Sequence, residues 1–264
     1  MPANTRFLVF SLCLAIVPVG GHAGALDADA ITRMDSLQAA AGLAGALVYQ
    51  GTVFAQKALP GSPLFSYERR VLDTPDGLTA AHVTRAPQGQ VLIVEAVRVT
   101  PAYGLQRFDA VNRQIGYSGS VVVSNDGRQL AFELLENGKR STASEAVRDP
   151  VLAGPSLHGF ILAHWDALAA GKDLPVRMIV MAKKETYGFT IRQSAQRDGR
   201  TGFSVTPSSL LVRLAVAPLR VEFDSNTRRL LRYEGRVPPR QNVGGKLEDL
   251  DARVEYTMVM ANYR

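Results

Sequence analysis

Runs of alternating apolar and polar residues, cut at short intervals by turn sequences, restrict the fold of this chain more than any other feature. Asn125-Asp126-Gly127 separates a run over 114–123 from one over 128–135, and Glu136-Asn137-Gly138 follows at once. Such Asp-Gly and Asn-Gly steps supply the positive φ that tight hairpins need. Pro75-Asp76-Gly77 and Pro87-Gln88-Gly89 divide runs at 65–71, 78–84 and 90–99, with Pro presetting φ and Gly accepting φ > 0. A first strand is expected at 47–54. Further strands are expected at 175–182, 187–194, 202–206, 219–223, 229–233 and 253–260. Leu219, Val221 and Phe223 alternate with Arg220 and Glu222, and Val254, Tyr256 and Met258 with Glu255 and Thr257. One face is buried and the other is wet, as antiparallel sheets allow. About eleven to thirteen strands result, and no linker divides them. The longest irregular piece is 236–250, with Pro238-Pro239 and Gly244-Gly245. A loop of that length is either functional or simply mobile.

One stretch breaks the period of two. Gly154 to Gly171, GPSLHGFILAHWDALAAG, has helical periodicity and contains the only Trp and two of the four His. On a wheel of about 100° per residue, Leu157, Phe160, Ile161, His164, Trp165 and Leu168 share a broad face. Ser156 is read as its N-cap and Gly171 as its stop. The opposite face carries Gly159, Ala163, Ala167 and Ala170, which suits a helix that another element or a ligand approaches closely. The fold class that follows is mainly β: a curved antiparallel sheet, half-barrel or barrel-like, wrapped around one central amphipathic helix.

The N-terminus places the chain. Arg6 precedes an apolar or small run from Phe7 to Val19, too short for a stable membrane span, and small residues follow at Gly21, Ala23 and Ala25. Residues 1–23 are therefore expected to be a signal peptide, cleaved after Ala23 or Ala25, with 24–264 a single β-rich periplasmic domain. A short helix is expected over 27–43. Cys13, the only cysteine, lies in the apolar run, so the exported part has no disulfide, thiolate metal site or cysteine nucleophile. No later segment reads as a transmembrane helix.

Charge is uneven. Residues 24–171 carry 12 basic and 14 acidic side chains, and residues 172–264 carry 17 basic and 10 acidic. A basic half suits an anionic partner such as a lipid headgroup, or simply keeps the protein soluble. Exported chains without aromatic-basic clusters do not point to nucleic acid. Arg220 and Arg232 come onto one face if 219–223 pairs with 229–233. They then form either an anion-attracting strip or ordinary outward-facing strand residues.

No HExxH, GxSxG, phosphate loop or calcium loop is present. His158 and His164 are six residues apart and cannot chelate one metal from a regular helix. His164 reads as a catalytic base or as a core histidine bonded to a carbonyl. The sequence thus implies no enzyme, cofactor or metal. The candidate ligand-binding residues are Phe160, His164, Trp165, Arg220 and Arg232.

LVYQGTVFAQ, AGPSLHGFILAHWDAL and LLVRLAVAPLRVEFDSNTRRLLRYEG together resemble a set of exported proteobacterial β-rich proteins, and that resemblance brings no catalytic residues. The YQGT strand is also similar to that of periplasmic lipoprotein carriers, in which a curved sheet shelters acyl chains under helices. The export signal, the β-rich pattern, the lone amphipathic helix and the charge split together imply a periplasmic binding or carrier protein for an apolar or lipid-like ligand with an anionic head. The alternative is an envelope interaction or assembly module that meets another protein through strand edges or the 236–250 segment.

Overall fold

The structure, a computed structural model, describes residues 45–56 and 61–260. The expected signal peptide, Cys13 and the helix over 27–43 lie outside the described residues.

The chain builds one sheet of fifteen strands among the described residues. The first eight are β1 (Ala46–Ala55), β2 (Phe65–Thr74), β3 (Gly77–Arg85), β4 (Val91–Val99), β5 (Leu105–Asn112), β6 (Tyr117–Val123), β7 (Gln129–Glu136) and β8 (Lys139–Ala146). They form an unbroken antiparallel meander. The second half holds β9 (Val151–Leu152), β10 (Leu174–Val180), β11 (Glu185–Arg197), β12 (Arg200–Pro207), β13 (Leu219–Asp224), β14 (Leu230–Val243) and β15 (Lys246–Met258). β15 pairs with β1 and joins the two halves. The sheet is mainly antiparallel, as the alternation requires, and its ladder does not close. Only β9 and β10 run parallel.

The connection between the edges forces curvature. β8 is one edge of the sheet and β9 the other, yet only residues 147–150 separate them. A flat sheet of this strand number would be on the order of 65 Å wide. The linker spans at most about 17 Å. The sheet must curl until its edges nearly meet. At the seam the Glu145 carboxylate accepts from the Thr186 N–H (2.8 Å), the Thr186 hydroxyl (2.7 Å) and Arg177 Nη2 (2.9 Å). Side chains thus bridge a gap that no backbone ladder spans. A second cross-connection runs from the β5–β6 turn to β14, where the Gln114 amide donates to Arg240 O (2.7 Å) and accepts from Arg240 N–H (2.6 Å).

Several elements differ from the sequence reading. The 236–250 segment is no loop: β14 and β15 run through it as a long hairpin turned at Gly244-Gly245, whose φ values are +58° and +85°. Pro238-Pro239 fits because the register shifts between Val237 and Arg240, so neither proline has to supply a ladder N–H. β5 and β8 went unread. β8 has no apolar side chain larger than Ala and follows its partner through a two-residue Asn137-Gly138 turn.

The single helix is two: α1 (Gly154–Ala163) and α2 (Trp165–Ala169). His164 breaks it. Its ring Nδ1 lies 2.9 Å from Phe160 O, and its backbone N–H is shared between Phe160 O and Ile161 O. A side chain that claims a helical carbonyl bends the ladder at that point. The N-cap is Ala153, and Ser156 sits three residues inside, its hydroxyl bonding back to Ala153 N–H and C=O. Gly171, at φ +84°, closes α2 with Gly171 N–H to Leu168 O and Lys172 N–H to Ala167 O. Gly159 is where another element approaches: a Cβ there would fall inside the Tyr103 ring.

Leu157, Phe160, Ile161, Trp165 and Leu168 share one core with residues from both halves of the sheet. Trp165 meets Phe203 and Phe223 edge-on at 5.1 and 5.5 Å, and Arg228 lies 5.1 Å over its ring. Trp165→Ala is expected to cost about 3–5 kcal/mol, read as a shift in urea midpoint. Native Trp emission is expected to be blue-shifted and to move red in one cooperative step; emission at the hydrated wavelength in the native protein would contradict this docking.

Candidate functional site

The curl leaves a cavity of about 830 Å³. Its walls are largely apolar: Val53, Phe108, Ile115, Leu157, Met178, Ile179, Phe189, Val221 and Val254 all contribute. At the mouth stands a further helix, α3 (Leu210–Ala215), between β12 and β13. Leu211 and Val212 line the cavity, and Leu210, Leu211 and Leu214 are 75%, 79% and 87% exposed. Arg236, Arg240 and Asp249 also line the cavity, and Asp249 pairs with both arginines.

Ionisable residues of the meander meet on the cavity's lining. The registers Tyr49↔Arg69, Arg69↔His82 and His82↔Glu95 set these four residues side by side across β1–β4, and Arg69, His82 and Glu95 line the cavity. Arg69 is 1% exposed. Its Nη1 donates to Pro155 O at 2.6 Å and to His82 Nε2 at 2.9 Å. Accepting that bond requires a neutral His82 with its proton on Nδ1. Burial, then the neighbouring Arg69 charge and His158, hold the His82 pKa well below the usual range, in agreement with that state. Among the described residues, the Nε and Nη2 of Arg69 have no hydrogen-bond partner, nor does either ring nitrogen of His158.

Glu95 is half-buried and lines the cavity. Burial pushes its carboxyl up to about 7. No ion pair joins it to Arg69 among the described residues, so the half-buried Glu95 and the buried Arg69 do not neutralise each other directly. Tyr67, Tyr233 and Tyr256 surround the polar row, and burial raises all three phenols. Tyr67 packs edge-on against His82 at 4.7 Å. Tyr49 packs on His158 at 5.3 Å, and His158 stacks on Phe223 at 5.7 Å. Ring contacts therefore run from the polar row to the Trp165 cluster.

The sequence candidates fall elsewhere. Phe160 and Trp165 are buried in the core and do not line the cavity. His164 is half-buried, stacks on Phe160 at 4.1 Å and bonds Phe160 O. Arg220 and Arg232 do share a face, as the pairing implied, but not the face of Val221 and Tyr233 that lines the cavity. Glu222 and Glu234 lie on that outer face with them, and Arg232 approaches Glu234 and Glu255 at 3.7 Å. Interleaved carboxylates make a mixed surface there, not an anion strip. Arg69, His82 and Glu95 were missed. Their signal was an ionisable residue at the buried phase of each strand: Arg69 in step with Tyr67 and Val71, Glu95 with Ile93 and Val97.

The fold and site thus define a curled, open β-sheet protein with an apolar cavity and a buried polar row. No family model matches the chain, and no curated protein matches it. One solved structure, a porin-like protein from Bacteroides uniformis, aligns over 80% of this chain and 97% of its own at 8% identity, with a TM-score of 0.22. So low a score carries no argument. No helix among the described residues is long and apolar enough to cross a membrane.

Glu95 gives the site a signature in stability. Its carboxyl ionises near the ordinary 4.5 when unfolded and near 7 when folded. Between those values the folded state holds a proton that the unfolded state has released, so stability falls as pH rises through the window. Glu95→Gln removes that dependence. Relative to the variant, the native chain is expected to lose up to about 3 kcal/mol from pH 4.5 to pH 7, read from urea midpoints across pH. The buried His82 and His158 act alike in both proteins and cancel in the difference. Parallel curves would contradict the assignment.

Proposed function

We propose that this chain is a periplasmic binding or carrier protein, non-enzymatic, for an apolar or lipid-like ligand held between the curled sheet and the α1–α2 pair. The observation that carries the reading is the cavity: about 830 Å³ and mostly apolar walls. That size lies within the range of sites that enclose small hydrophobic molecules. A packed core of this size has no structural need for such a space, since interiors fill to crystal-like density. In this reading the export signal delivers the protein to the periplasm, and α3 borders the entrance. The anionic head is not served by Arg220 and Arg232, which lie outside, so the inner row of Arg69 takes that role.

A second reading, an envelope interaction module, draws on the exposed Leu210, Leu211 and Leu214 of α3. Apolar side chains grouped in this way mark contact surfaces.

Titration with the neutral fluorophore N-phenylnaphthylamine, alongside native mass spectrometry of gently purified protein, tests the carrier reading. Saturable enhancement is expected, weakened at least about fivefold by Met178→Trp, which fills the cavity wall without touching the polar row. Absence of any saturable binding, with no co-purified lipid, would leave the interaction module as the better account.

A further inference from the structure

The polar row is costly to keep. A guanidinium that is 1% exposed retains two nitrogens without partners among the described residues, and Glu95, on the same lining, forms no ion pair among them. Each unpaired buried donor costs on the order of what a hydrogen bond contributes, and more when it is charged. Stability alone would favour apolar residues at these inward positions. The geometry of what is left unpaired is specific. Nη1 is engaged by His82 and Pro155. Nε and Nη2 form the side edge of the guanidinium, whose two N–H bonds run parallel. That edge matches the two oxygens of a carboxylate.

Resting on the carrier reading above, we propose that the polar row recognises the carboxylate head of an acidic amphiphile such as a fatty acid. The Nε–Nη2 edge of Arg69 is covered in the empty protein, so a side-chain shift of the lining uncovers it as the head enters; the edge then grips the two oxygens, and the protonated Glu95 carboxyl donates a third hydrogen bond. The apolar walls take the tail. Arg69 supplies the positive charge, while Glu95 contributes only while it keeps its proton. Once ionised, it repels the head.

The titratable groups lining the cavity around this position are Arg69 and Tyr67 from β2, His82 from β3, Tyr117 from β6, His158 from α1, Lys183 between β10 and β11, Tyr187 from β11, Tyr233 from β14 and Tyr256 from β15. Burial keeps both histidines neutral and the Tyr67, Tyr117, Tyr233 and Tyr256 phenols protonated, and the hydrogen bond to Glu185 raises the Tyr187 phenol, so none of these histidines and phenols changes charge between pH 6.5 and pH 9. Asp249, the other acid lining the cavity, is held by Arg236 and Arg240. Glu95 is the group whose charge changes near neutrality, with its carboxyl at about 7.

Displacement of N-phenylnaphthylamine by decanoic acid and by decanol, at about pH 6.5 and about pH 8.5, tests this, with Glu95→Gln beside the native chain. At the lower pH the acid is expected to bind roughly tenfold tighter than the alcohol. Its affinity falls roughly tenfold at the higher pH, whereas that of the alcohol does not change. Glu95→Gln keeps a donor and cannot ionise, so it flattens the pH dependence of acid binding. Arg69→Lys, if it folds, narrows the preference for acid over alcohol. Equal affinities for acid and alcohol, or an unchanged pH dependence in Glu95→Gln, overturn the head-group assignment and leave the carrier reading standing. Failure of the fluorophore itself to bind overturns both.

Discussion

Arg69 is the group on which the arrangement turns. It is a cation at the buried phase of β2, and its Nη1 bonds both a neighbouring strand, through His82, and the first turn of α1, through Pro155 O. A buried charge needs hydrogen bonds or it destabilises the fold. Here those bonds come from the sheet and from the helix together. Meeting the needs of Arg69 therefore holds α1 against β2 and β3, and the helix cannot leave without stranding the guanidinium. The remaining edge, Nε and Nη2, has no hydrogen-bond partner among the described residues, and Arg69 belongs to the lining of the apolar cavity.

The curl itself has a topological cause. The chain passes from the β8 edge to the β9 edge through residues 147–150, and the sheet must bend until that passage is possible. Glu145 then bridges to Arg177 and Thr186, and Gln114 bridges to the backbone of Arg240. Polar side chains hold the rim, and apolar side chains with aromatic contacts hold the interior.

The turns and the alternating strands were legible in the sequence because Pro, Gly, Asn and Asp have local reasons to be where they are. β8, Lys-Arg-Ser-Thr-Ala-Ser-Glu-Ala, was not, because an edge strand is held by backbone bonds to β7 and has no large apolar face to show. The β14–β15 hairpin hid behind Pro238-Pro239, whose register shift cannot be read from composition. The helical face was read correctly as buried, but the break at His164 depends on a side chain bonding its own helix. Among the site residues, apolar and aromatic candidates on the helix proved to be core. The row that lines the cavity lay in the strands, and one of its pairings could have been found. The Pro75-Asp76 turn sets Thr74 opposite Gly77, and counting five residues back along each strand sets Arg69 opposite His82.

The most direct measurement of the account is the hydrogen-exchange rate of the Arg69 Nε–H group, followed by heteronuclear NMR and assigned through Arg69→Lys. Enclosed between sheet and helix, this group is predicted to exchange far more slowly than the Nε–H groups of half-exposed arginines such as Arg200 and Arg228. Exchange as fast as theirs would mean that Arg69 is open to water, that it does not anchor α1, and that the cavity lacks the buried cation on which this account rests.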